Sequence, residues 1–304
     1  MKLPVLSMMV LLVGAPAVVR TQDLESTYQS LKDAEAKNDA ALVKKLSAET
    51  SALARAAIAE AAPEAAEEKD GWTKRVAYAR DVDSYSEYAL YAVAVKSQPA
   101  TTVDLLAALE EQNPKSKYLD EGYAYYLYAL SQAGASAKIP AIAEKGLANF
   151  PDNPDLLAVL ADHSLAAKQN DRALGYANRL IASLGKHPKP EGMPEADWER
   201  KKSTSLGRGY WMAGVISGEK SQYAAADKNL RAALPLIKGN DAMMGPALFH
   251  LGVANYNLGK MTANKAKVLE AAKFSDQCAA ITGPYAEQAW KNSAAMKAEA
   301  AKMR

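Results

Sequence analysis

Apolar residues recur along this chain at the three- and four-residue steps of amphipathic helices, in pairs broken by short polar turns. The stretch from Asn153 to Leu184 shows the pattern most cleanly. Pro154 and Asp155 suit a first helical turn, one through its fixed φ and the other through its charge. Leu157, Leu160, Ala161 and Leu165 form one stripe, Lys168-Gln169-Asn170-Asp171 a polar turn, and Ala173, Ala177, Leu180 and Ile181 a second stripe. Neither helix hides its apolar face alone, so the pair needs neighbours.

The same reading extends in both directions. Asp23 to about Ala62 predicts a helical hairpin, with Leu24, Tyr28, Leu31 and Ala34 facing Leu42, Val43, Leu46, Leu53 and Ile58. Residues 63–71 are charged and read as a loop or frayed helix, after which a helix opens at Trp72 and runs to about Lys96. A helix carrying Val103, Leu105, Leu106 and Leu109 ends before Asn113-Pro114. A tyrosine-rich helix then spans about Tyr118 to Gln132, and another spans Ile139 to Asn149. Three prolines and two glycines within residues 185–195 predict an exposed insertion loop. Gly283-Pro284 opens a last helix, with Ala286, Ala289, Trp290, Ala294 and Met296 as its apolar stripe. Period-two runs of β-branched residues are absent, so the expected class is all-α.

Small residues set the register of these pairs. Ala161 and Ala173 lie 12 apart, as do Gly214 and Ala226 in GVISGEKSQYAAADKNLRAAL. Leu127 stands 34 before Ala161, and Pro151 closes that unit. Leu251-Gly252, Ala254, Tyr256, Leu258 and Gly259 give a further copy in LFHLGVANYNLGK. On these residues the chain resembles the tetratricopeptide repeat family, of the exported bacterial type, over about Ser84 to Pro284. The resemblance implies a right-handed α-solenoid of antiparallel helix pairs with a C-terminal capping helix at 284–304. The chain then divides into an N-terminal hairpin and linker (23–71), a repeat array (72–283) and the cap. The family also implies a concave groove lined by the first helix of each pair. Carried onto this sequence, groove positions are Tyr91, Tyr128, Gln132, Asp155, Asp162, Arg208, Trp211, Phe249, Tyr256 and Asn257. Trp211 and Tyr256 are expected to face a ligand and Phe249 the core. Aromatic anchors among polar groups suit a protein or peptide partner. The alternative is a structural array that self-associates into an oligomer or filament.

Composition narrows the chemistry. A net charge of +2, from 37 basic and 35 acidic residues evenly mixed, gives no footprint for nucleic acid or an anionic membrane. Cys278 is the single cysteine, so no disulfide or cysteine-based metal cluster forms within the chain, and it reads as a small buried hydrophobe. His163, His187 and His250 lie in different units and lack the i, i+4 spacing of a helical metal site. Gly207 and Gly209 fall inside a predicted helix with no strand before them, so no phosphate loop is expected. Glu67-Glu68 and Glu110-Glu111 are adjacent pairs on solvated faces rather than carboxylates set across a cleft. The chain therefore reads as a non-enzyme without cofactor or metal. Lys2, the apolar run from Leu3 to Val19 and Ala15-Pro16-Ala17 predict an export signal over 1–17. That implies a periplasmic or extracellular protein, tied to a membrane only if the segment stays uncleaved.

Overall fold

The computed structural model describes residues 17–190 and 192–303. Residues 1–16 of the expected export signal lie outside them, so that expectation has no structural counterpart here. The described residues form thirteen α-helices and one 3₁₀ turn, with no strand among them. The fold class is all-α.

Two compact units meet in sequence between Gly134 and Ala135. The N-terminal unit contains α1 (Ala17–Ala36), α2 (Ala40–Ile58), α3 (Ala66–Ala94), α4 (Pro99–Gln112) and α5 (Lys117–Gln132). The C-terminal unit follows the 3₁₀ turn Ser136–Lys138 with α6 (Ile139–Asn149), α7 (Pro154–Ala166), α8 (Asn170–Leu184) and α9 (Glu195–Glu219). It continues through α10 (Tyr223–Ala233), α11 (Asp241–Met261), α12 (Lys265–Ala279) and α13 (Ala286–Lys302). Within each unit every helix packs on the next, and α1, α2, α3, α7, α9 and α11 also touch the helix two further on. That is the contact pattern of stacked helix hairpins. The insertion loop falls between α8 and α9, where the prolines and glycines place it.

Four of the turns share one geometry. Asn38, Lys168, Ser221 and Ala263 are left-handed, with φ of 52°, 58°, 58° and 48°. Each is the second of three residues between helices, and the following N–H bonds a carbonyl five residues back. Those bonds are Asp39 N–H to Ala34, Gln169 to Ser164, Gln222 to Ser217 and Asn264 to Gly259, all at 2.8–3.0 Å. The closure satisfies a helix-end carbonyl and reverses the chain in three residues. Asp39 and Asn264 then cap the next helix, accepting from the N–H of Leu42 and Lys267. Alanine gains nothing from the left-handed region, so Ala263→Gly should raise stability by about 0.5–1 kcal/mol. A thermal melt checks it, and an unchanged or lower melting temperature contradicts the role assigned to this turn.

The small residues mark where paired helices come closest. A β-carbon on Gly214 would stand 2.4 Å from Leu230 Cγ, and one on Gly252 would stand 2.5 Å from Ser275 Oγ and 3.3 Å from the Ala271 carbonyl. Ala161 and Ala173 are likewise buried together, with Ala177, Met212, Ala213 and Ile216. Ion pairs then tie helices two apart. Lys44 reaches Asp104 across α2 and α4 at 2.5 Å, and Arg172 reaches Glu144 across α8 and α6 at 2.8 Å.

Three local expectations need correction. Glu110, read as part of a solvated face, is buried and accepts the Tyr123 hydroxyl. α3 begins at Ala66 rather than Trp72, because Glu67 and Glu68 favour a helix N-terminus instead of a loop. On α13 the buried stripe is Ala289, Ser293, Met296 and Ala300, whereas Trp290 is 65% exposed. The buried positions repeat at four, three and four, which rotates Trp290 to the outside.

Candidate functional site

Ten of the fifteen tyrosines of the chain belong to the N-terminal unit. On α3, Tyr78, Tyr85, Tyr88 and Tyr91 follow at steps of 7, 3 and 3; on α5, Tyr118, Tyr125 and Tyr128 follow at 7 and 3. Those steps hold each set on one helix face. Packing α1, α3 and α5 side by side brings the faces together into one run of ring contacts. Tyr78 meets Tyr28 at 6.3 Å between centroids, Tyr28 meets Tyr85 at 5.1 Å, and Tyr85 meets Tyr88 at 5.7 Å. Tyr88 then meets Tyr118 at 5.6 Å, Tyr118 meets Tyr91 at 6.0 Å, and Tyr91 meets Tyr125 at 6.4 Å. Most are edge-to-face or tilted, the geometry that ring quadrupoles favour.

The run is open to solvent at several points. Tyr78 and Tyr88 are each 37% exposed, Tyr125 44% and Tyr128, one turn further along α5, 65%. The other side of α5 differs: Tyr123 is fully buried, stacks on Tyr126 at 6.4 Å, and donates its hydroxyl to Glu110 Oε1 at 3.2 Å. One helix thus uses tyrosine in two ways, inward as core and outward as surface.

Carboxylates border the run. Tyr78 donates its hydroxyl to Glu25, and Tyr85 donates to Glu35 at 3.4 Å. Burial, then Glu35 and neighbouring tyrosines, pushes the Tyr85 phenol up to about 12. Burial, then Tyr125, Glu121 and Tyr88, does the same to Tyr91. Burial and Glu110 hold Tyr126 at about 12 as well. In each case the folded state favours the neutral phenol. The stability this provides is complete below the ordinary value of 10 and is lost as pH rises through about 12. Alkaline melts with a phenolate absorbance titration check this. All fifteen tyrosines ionising together near 10 in the folded protein would contradict it.

The groove residues expected from the sequence fall into separate groups. Tyr91, Tyr128 and Gln132 belong to the N-terminal unit, where Tyr91 is half-buried in the run and Tyr128 and Gln132 are exposed. In the C-terminal unit, Asp155 pairs with Lys201 at 2.7 Å and Asp162 with Arg208 at 2.6 Å. Both pairs bridge α7 and α9, and both partners advance by seven residues, so the two helices run parallel in register. Trp211 donates its indole N–H to the Met243 carbonyl at 2.8 Å and packs against the two buried clusters that contain Ala247 and Ala161. Tyr256 lies against Val268, Ala271 and Met296. Phe249 packs its ring 4.9 Å from that of Tyr285. Asn257 donates to the Val253 carbonyl one turn back on its own helix at 2.8 Å. Sequence reasoning missed Tyr28, Tyr78, Tyr85, Tyr88, Tyr118 and Tyr125 as parts of a surface. The seven-and-three spacing of tyrosine was the available signal.

Other features offer little chemistry. An open depression of about 410 Å³ between α2 and α4 is lined by Lys44, Ser51, Arg55 and Gln112. Its cations are engaged: Lys44 with Asp104, and Arg55 with Asp83 at 3.1 Å and the Gln112 carbonyl. Cys278 is buried, points its thiol at the Gly245 carbonyl at 3.3 Å, and is pushed up in pKa by burial. Among the described residues no group of three or more His, Cys, Asp or Glu is placed to hold a metal ion. No protein-family model and no curated protein matches this chain.

Proposed function

We propose that this chain is a non-catalytic, exported scaffold of tetratricopeptide-like helix pairs that binds a segment of a protein partner. The tyrosine face of the N-terminal unit is the binding surface. The observation that carries this reading is the unbroken run of ring contacts across α1, α3 and α5, with three of its tyrosines, and Tyr128 beside them on α5, open to water. Rings that only fill gaps between helices bury as Tyr123 does. Tyrosine supplies a large, stiff, amphipathic contact at low entropic cost, which suits recognition. The hairpin geometry and the close-packed small residues at Gly214 and Gly252 support the family resemblance. The Lys2, apolar-run and Ala-x-Ala order supports export. No helix among the described residues is long and apolar enough to cross a membrane.

Selection from a random peptide display library tests the binding reading, with the full chain and its Tyr88→Ala/Tyr125→Ala variant as parallel baits. Peptides enriched on the full chain should bind the variant at least about thirtyfold more weakly, the loss of an interface hot spot. Enriched peptides that hold both baits equally would sink the tyrosine face as the site. Export is checked by intact mass from the native host: a soluble cytosolic chain still carrying Met1 would rule it out.

A further inference from the structure

We infer that the occupant of the tyrosine face is a peptide segment rich in arginine or lysine. This rests on the reading of that face as a binding surface. Three observations point to cations. Glu25, Glu35, Asp81 and Glu121 all act on rings of the run, four carboxylates against the two lysines, Lys32 and Lys117, that lie over it. Two of these, Glu25 and Glu35, accept tyrosine hydroxyls, which shifts electron density into the rings and strengthens their attraction for positive charge. The chain also demonstrates the interaction on itself. Lys32 Nζ lies 4.4 Å over the Tyr28 ring and Lys117 Nζ 4.8 Å over the Tyr118 ring.

The more open rings are left for a partner. Among the described residues no cation of the chain covers Tyr88, Tyr125 or Tyr128.

The test uses the full chain and three labelled decapeptides in fluorescence anisotropy: alternating Arg-Ser, Gln-Ser and Glu-Ser. Arg-Ser should bind at least about tenfold more tightly than Gln-Ser, and Glu-Ser should not bind. Rising salt should weaken Arg-Ser, because Glu25 and Asp81 are exposed and the others only partly buried. Tyr125→Leu and Tyr88→Leu should each cost about fivefold, whereas Tyr125→Phe keeps the π-face and most of the affinity. Glu121→Gln should also lower Arg-Ser affinity. Glu-Ser binding as well as Arg-Ser, or Arg-Ser affinity unmoved by both leucine variants, overturns the inference. Tyrosine-dependent library peptides that lack basic residues overturn it too, but leave the binding surface standing. Library peptides indifferent to the tyrosines remove both.

Discussion

Tyr123→Ala should lower the melting temperature of the N-terminal unit by on the order of 10 °C or more. Tyr123 is the largest of the fully buried side chains, and its ring lies against Tyr126. Truncating a buried aromatic costs about 3–5 kcal/mol through lost transfer free energy and the cavity left behind. That is a large part of the 5–15 kcal/mol typical of a domain. Tyr123→Phe separates the hydroxyl from the ring. It removes the donor to the buried Glu110 and should cost about 1–3 kcal/mol. Tyr125, two residues on and 44% exposed, is the internal control. Its alanine variant should melt within about 1 kcal/mol of the parent, in line with a surface position. Equal losses at Tyr123 and Tyr125 would mean that α5 has no outward face.

Deleting residues 284–304 should destabilise the C-terminal unit by on the order of 5 kcal/mol. α13 packs along α12 and also touches α11. Its Met296 and Ala300 cover Val268, Ala271 and Ala272, and its Ala289 lies with Leu248 and Cys278. Removing the helix returns these apolar surfaces to water, at about 25 cal/mol for each Å² uncovered. Lys260 and Glu299, paired across α11 and α13, would lose each other as well. On α12, Leu269 is 41% exposed and neighbouring Val268 takes the buried place. Calorimetry of the truncated chain is the check. An unchanged transition would make α13 an appendage rather than a cap.

The legible part of this fold was what acts within one helix or one turn. Apolar stripes and small residues placed the hairpins, since Ala161, Ala173 and Gly214 sit where helices meet. Pro154 and Asp155 take the first turn of α7, where their fixed φ and charge suit them. What stayed hidden depends on neighbours distant in sequence. Asp155 finds Lys201 46 residues away, and Trp211 takes its acceptor from a backbone carbonyl on α11. Lys168, Ser221 and Ala263 adopt left-handed backbone without being glycine, because the three-residue reversal demands it. The tyrosine surface was half legible: the spacing on α3 and α5 is local, but the link through Tyr28 on α1 appears only when three helices pack.

The central claim is that the outward tyrosines of the N-terminal unit contact the partner. Ring-carbon NMR of the tyrosine-labelled full chain, titrated with a library-selected peptide, tests it most directly. Signals of Tyr88, Tyr125 and Tyr128 should shift, while those of Tyr176, Tyr210, Tyr223 and Tyr256 in the C-terminal unit stay in place. Shifts confined to the C-terminal tyrosines, with the N-terminal rings unmoved at saturation, would contradict the account.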